Sequence, residues 1–310
     1  MVPHLMKLQK LMLRAAANHT AIPGFNIPYL PMMAPVVNAL RDTHCFGLIM
    51  VARLEWTKFA AGGLQQVFNT YQNVKDERYT RLHLDHVPVI DEDQLPVEYD
   101  TILREAVEIG YDSVMVDGSR LSFSENIAAT RFIVDMAHAS GVPVEAELGA
   151  VLGHESGPLP PYEEVFSTGR GFTDPEQARI FVEETGVDWL SVAVGSVHGA
   201  IAAATRREKK LEARLSIERL DQIRNAVGIP LVLHGGTGIR KACVLDGIQH
   251  GIAKINVATA VRQPYEALMD SAPECALEAV YRATRDVIEK DLELSNTADR
   301  IHVGDTQDFF

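Results

Sequence analysis

The sequence predicts a (β/α)8 TIM barrel, an α/β fold, and three observations predict it. Eight short apolar runs rich in Val and Ile alternate with helical patterns almost from end to end. Glycines stand between helix and strand where a left-handed cap is needed. Histidines and acids gather just past the ends of the apolar runs, the place where a parallel barrel builds its sites.

The predicted strands are Ala21–Ile27, Gly47–Ala52, Tyr79–Asp85, Tyr111–Asp117, Val142–Leu148, Trp189–Val194, Pro230–His234 and Ala253–Val257. Their near-continuous apolar character is that of strands buried on both faces. Ser124–Ser140 and Ile217–Val227 read as helices with polar faces, and Gly141, Gly186 and Gly228 as caps. No G-x-G-x-x-G follows the first strand, which speaks against the rival doubly wound dinucleotide fold. Val87–Asp100, acidic with two prolines, reads as a long loop or short excursion. Leu152–Phe172, rich in Gly, Pro and Ser, reads as a loop over the same face, and such loops are often lids. Residues 1–310 are expected to form one barrel domain with a C-terminal helical extension from Pro273.

Composition narrows the function. At 310 residues with 46% hydrophobic content, the chain can bury a large core without staples. A net charge of −13 and the lack of a long basic run exclude nucleic acid as a partner. No apolar run has the roughly 20 residues of a membrane span. Cys45, Cys243 and Cys275 are odd in number and lack metal spacing, and no signal-peptide pattern opens the chain, so the expected compartment is the cytoplasm.

His86, His198 and His234 each follow a different strand. Neutral imidazoles suit Zn²⁺, and three protein ligands leave one position open, the catalytic arrangement. Asp85, next to His86, is a candidate proton donor beside the metal. His83 alternates into the barrel interior. Asp117 and Glu147 end two further strands. His234 runs into Gly235-Gly236-Thr237-Gly238, His198 into Gly199, and the eighth strand ends Asn256-Val257-Ala258-Thr259. Loops after strands seven and eight are the usual barrel phosphate site, and Gly lets backbone N–H groups approach an anion. Thr237 and Thr259 add hydroxyl donors, and Asn26, at the end of the first strand, joins this substrate-binding set. A metal beside a phosphate site suits enolate chemistry: aldol cleavage or condensation.

Six segments together resemble the class II, zinc-dependent ketose-bisphosphate aldolases, of the fructose- and tagatose-bisphosphate kind. They are His83–His86, Ser113–Ser119, Val144–Gly149, Val194–Gly199, Leu233–Gly238 and Lys254–Thr259. The resemblance implies one catalytic zinc on His86, His198 and His234, with Asp117 and Glu147 bordering a second or alternative metal position. It implies Asp85 as the acid that protonates the aldehyde-derived oxygen during cleavage. Glu155 matches the loop glutamate that exchanges the proton on the dihydroxyacetone-phosphate carbon. Gly199, Gly235, Gly236, Thr237 and Asn256 to Thr259 match the dihydroxyacetone-phosphate cradle. A monovalent cation near those glycines and a homo-oligomer, dimer or tetramer, are implied as well. The expected reaction is reversible cleavage of a phosphorylated ketose to dihydroxyacetone phosphate and an aldehyde. Its rivals are a non-catalytic sugar-phosphate or metal-binding barrel and a sugar-phosphate isomerase or epimerase. Departures cluster on the aldehyde side: Ala258 replaces the Asp of fructose-bisphosphate enzymes, Val87 follows His86, and Arg53-Leu54-Glu55 ends the second strand. Arg53 there either meets an anionic tail or faces solvent beside Glu55.

Overall fold

The computed structural model describes residues 6–149, 162–196, 213–236 and 238–302. Eight parallel strands follow one another around a closed barrel: β1 (Ile22–Asn26), β2 (Gly47–Ala52), β3 (Thr80–Pro88), β4 (Ser113–Asp117), β5 (Val144–Leu148), β6 (Trp189–Val192), β7 (Leu231–Leu233) and β8 (Ile252–Val257). Ile22 of β1 lies in register with Lys254 of β8, and this pairing closes the ring. All eight strands fall inside or across the predicted runs. Helices pack outside, so residues of each strand are buried on both faces, as their Val- and Ile-rich sequences require.

The helix over Phe123–His138 matches the prediction because Ser122 and Glu125 close its first turn reciprocally: Glu125 Oε2 accepts from Ser122 N at 3.0 Å, and Ser122 Oγ from Glu125 N at 3.4 Å. Ile217–Val227 is helical as predicted, and Gly141, Gly186 and Gly228 follow their helices at φ of +71°, +68° and +65°. The helix Pro273–Asp286 lies against Met33–Asp42 and Thr259–Glu266, and the polar tail forms a further short helix, Thr297–His302. That helix meets the first one, Leu8–Ala17, where Arg14 Nη1 donates to Ile301 O at 3.0 Å.

Two segments differ from the sequence reading, and one between them takes the short-excursion form that the sequence allowed. β3 does not stop at Asp85 but runs to Pro88 through an irregularity between Leu84 and Val87, where His86 takes φ +30°. The excursion after it is a small antiparallel turn with Ile90 bridged to Pro96, and Asp91 Oδ1 accepts from Asp93 N and Leu95 N at 3.0 and 2.9 Å. The expected loop Leu152–Phe172 contains a helix, Tyr162–Thr168, which apolar contacts build: Phe166 packs on Tyr162 and Phe172, and the Arg214 guanidinium lies 4.5 Å over its ring.

Tyr162 also ties this helix to the barrel rim. Its hydroxyl donates to Gly195 O at 3.1 Å and accepts from Arg214 N at 2.6 Å. Gly195 sits at φ +115°, and a Cβ there would lie 2.5 Å from Arg214 O. Gly195→Ala is therefore expected to destabilise the fold by about 1–3 kcal/mol, the usual cost of a strained backbone position. A lower urea midpoint with unchanged slope checks this; an unchanged midpoint contradicts it.

Candidate active site

Strand periodicity builds the site. Residues two apart on a strand share a face, so His83 and Asp85 of β3, Glu145 and Glu147 of β5, and Lys254 and Asn256 of β8 all point into the barrel. All six are buried, His83, Glu145 and Lys254 with no exposed surface. The irregularity in β3 lets the chain present Asp85 and the next residue, His86, to one mouth. Ligand atoms of Asp85, His86 and His234 lie within 4.8 Å of one another, and so do those of His86, Asp117 and Glu147. The rings of His86 and His234 have centroids 4.4 Å apart. His198 and Glu155 lie outside the described residues, as do Gly199 and Thr237.

Each imidazole has a carboxylate on it. His86 Nδ1 is 3.0 Å from Asp117 Oδ2, whose partner oxygen accepts from Ser119 N and Oγ at 3.0 and 2.6 Å. His234 is held at both nitrogens: Nδ1 is 2.9 Å from Glu147 Oε2, and Nε2 is 3.0 Å from Glu145 Oε1. Burial opposes charging these rings, but the acids prevail. Asp85 and the Asp117 hydrogen bond bring the His86 pKa up to about 10, and the two glutamates raise that of His234. Burial would raise the carboxyls too; instead His86 and Lys254 hold Asp85 well below the usual range, and His86 does the same to Asp117. His83 behaves oppositely: burial and then Lys254 push it down to about 3, and its neutral ring meets Ser113 Oγ at 2.7 Å.

Two imidazoles within reach of three carboxylates form a donor set suited to a divalent transition metal. Of the two His234 nitrogens, Nδ1 is on the side of the outer group of candidate ligands. This nitrogen lies beside Glu147, which groups with His86 and Asp117, while Nε2 faces Glu145 inside the barrel.

Asn26 and Asn256 serve a purpose that the sequence reading did not assign to them. Asn26 Nδ2 donates to Asp85 Oδ2 at 3.0 Å and Asn256 Nδ2 to Oδ1 at 3.0 Å, so both steady the acid. Asn256 Oδ1 is buried without a partner. Gly235 sits at φ +69°, the turn that follows His234, with Gly236 after it against Ile255. Val257 closes β8, Ala258 turns out of the strand at φ −122°, ψ −69°, and Thr259 begins the helix Thr259–Glu266. Arg53 is paired within the protein: its guanidinium is 3.7 Å from Asp91 of the turn after β3, while Glu55 is buried and accepts from Ala52 N at 2.7 Å. Burial raises the Glu55 carboxyl to about 8.

Sequence reasoning gave no role to Glu145, Lys254 or Glu55. The signal was present for the first two: each is a charged residue on the inward face of an otherwise apolar strand, two positions from a residue already singled out.

A parallel barrel with an acid and imidazoles converging at its strand ends is the frame of an enzyme active site. The family model of class II fructose-bisphosphate aldolase matches residues 6–300, and the chain belongs to that family; it is an aldolase, a carbon–carbon lyase. Among solved structures it is similar to the YdjI aldolase from Escherichia coli K12, at 27% identity over 95% of this chain and 99% of that one, TM-score 0.73. A candidate fructose-1,6-bisphosphate aldolase from Coccidioides immitis aligns at 26% identity over 94% and 98%, TM-score 0.74. The fructose-bisphosphate aldolase of Campylobacter jejuni, at 20% identity over 95% and 98% with TM-score 0.71, shares the fold.

The shifts set a pH dependence for the metal-free protein. A histidine pKa raised on folding stabilises fully below the unfolded value, near 6.5, and the contribution is lost as pH rises through the folded value, here about 10. The Tm of metal-free protein is expected to fall between pH 7 and 10, with a smaller fall in His86→Asn. Parallel Tm profiles for the two proteins would contradict the assignment.

Proposed function

We propose that this chain is a metal-dependent class II aldolase that reversibly cleaves a phosphorylated ketose to dihydroxyacetone phosphate and an aldehyde. The observation that carries this reading is Asp85, an ionised and buried carboxylate steadied by two asparagines, beside His86 and His234. Zinc is the metal the donor set suits, with His86 and His234 as ligands and His198 as the third from the sequence; Asp117 and Glu147 border it. When bound, the metal supplies Lewis acidity to the ketose carbonyl.

The protein does the rest. Gly235, Gly236 and Thr259 offer backbone and hydroxyl donors for the phosphate, together with Gly199 and Thr237 from the sequence. An ionised Asp85 has no proton to give at the start of cleavage. It takes the proton of the C4 hydroxyl as the C3–C4 bond breaks, the oxygen becomes the aldehyde carbonyl, and the bonding pair passes into the enediolate. In condensation Asp85 returns that proton to the aldehyde oxygen. The enediolate carbon gains its proton from Glu155, on the sequence resemblance, which completes dihydroxyacetone phosphate. Asn256 Oδ1, unpartnered and buried, is an acceptor available to a substrate hydroxyl.

On the aldehyde side, Asp91, Glu92 and Asp93 stand on the turn after β3, braced by Arg53–Asp91 and by Lys58–Glu92 at 2.7 Å. Asp91 and Glu92 engage these two cations and Asp93 adds a further negative charge, so the turn is no ready seat for a second phosphate, and fructose 1,6-bisphosphate is expected to be the poorer substrate relative to another ketose phosphate. Three unpaired cysteines fit a reducing cytoplasm, and among the described residues no helix is long and apolar enough to cross a membrane. The family resemblance supports a dimer or tetramer and a monovalent cation near the glycines.

A panel of ketose 1-phosphates and bisphosphates, assayed for dihydroxyacetone phosphate with and without chelator, tests the reading. Release that chelator abolishes and Zn²⁺ restores is expected; no release from any member would overturn it. For fructose 1,6-bisphosphate, kcat/KM should lie below the ordinary enzyme range of about 10⁴–10⁸ M⁻¹s⁻¹. Asp85→Asn should keep its metal and slow cleavage by about 10²–10⁴-fold, the usual contribution of an acid–base group. A wild-type rate in that variant would remove Asp85 from the chemistry.

A further inference from the structure

The barrel interior beneath the mouth contains an ion pair that the reaction as described does not use. Lys254 Nζ lies 3.0 and 2.7 Å from the two oxygens of Glu145, and neither side chain has exposed surface. The same carboxylate has two further donors: His234 Nε2 at 3.0 Å on Oε1 and Trp189 Nε1 at 2.7 Å on Oε2. His83 Nε2 of β3 lies 3.5 Å from Oε2 as well, so these contacts come from β3, β6, β8 and the end of β7, and the carboxylate cannot turn without breaking several of them.

We propose that the Lys254–Glu145 pair is a positioning device for His234, fixing the inner nitrogen of its ring so that the outer one is presented to the metal. The proposal rests on His234 being a metal ligand, as argued above. A buried pair contributes little net stability over apolar side chains of the same volume, so core stability does not account for it. Its geometry does: the oxygen that Lys254 holds at 3.0 Å is the one that His234 Nε2 meets. With that nitrogen engaged, Nδ1 is directed to the side of Glu147, His86 and Asp117. Carboxylates placed this way fix the tautomer of a ligating imidazole and raise its basicity. Lys254 also lies 3.7 Å from Asp85 Oδ1, so one ammonium spans the acid and the support of the ligand.

The test uses metal alone, without substrate. Metal-free full-length protein is titrated with Co²⁺ against a competing chelator, and its visible absorption spectrum is recorded. Lys254→Met leaves a buried carboxylate without its cation, so the double variant Lys254→Met/Glu145→Gln, neutral at both positions, carries the test where the single one fails to fold. The folded double variant is expected to bind Co²⁺ about 10–100-fold more weakly, the usual effect of removing such support, with an altered cobalt spectrum. Wild-type affinity and spectrum in that variant would overturn the proposal. His234→Ala in the same titration separates the two readings. If it retains full affinity, His234 is not a ligand; if it loses affinity while the double variant keeps it, only the positioning role falls.

Discussion

Glu145 is the carboxylate on which the interior of this barrel is organised. A charge buried this completely is tolerated only when it is paired and hydrogen-bonded, and Glu145 draws a lysine, an indole and an imidazole from three strands onto two oxygens. Burial would raise its pKa; Lys254 and the hydrogen bond from His234 reverse that, so the group stays ionised. Removing one partner of such a pair typically costs about 3–5 kcal/mol, because the other charge is left uncompensated. The interior is therefore constrained as a unit, and its upper edge is the site.

That unit explains an arrangement that apolar packing alone does not. Barrels usually fill their centre with branched apolar side chains. Here the layer under the mouth is polar: His83, Ser113, Glu145, Ser191 and Lys254 have no exposed surface. Ser191 Oγ reaches Glu147 at 3.2 Å and His234 Nδ1 at 3.1 Å, and His83 reaches Ser113. The apolar load is moved outward, to the interface between the strands and the helices, where Phe25, Leu82 and Leu190 are buried without exposure. The strands thus carry Asp85 and Glu147, His234 follows directly on β7, and a local irregularity in β3 adds His86.

Much of this was legible in the sequence, and for definable reasons. Strands buried on both faces announce themselves as apolar runs, so β2 was read at its observed bounds. His234 and Asp117 were legible because a strand end followed by Gly is an unambiguous position. The limits are physical too. A strand that bulges keeps its ladder beyond an apparent end, which is why β3 outran the prediction at Asp85. Glu145 and Lys254 went without a role because a charge inside an apolar run gives no indication of its partner on another strand, 109 positions away. Arg53 could be placed at the mouth but not paired, since the turn that carries Asp91 is set by local backbone bonds. Glu155, His198, Gly199 and Thr237 belong to segments outside the described residues, and their roles stand on the sequence alone.

The most direct test of the account is where the metal sits. An anomalous difference map at the zinc edge, from crystals grown with Zn²⁺, is expected to show one strong peak per chain within about 2.0–2.1 Å of a nitrogen of each of His86, His198 and His234, with Nδ1 as the atom from His234. A principal peak between His83, Asp85 and Glu145, or none near His86 and His234, would contradict it.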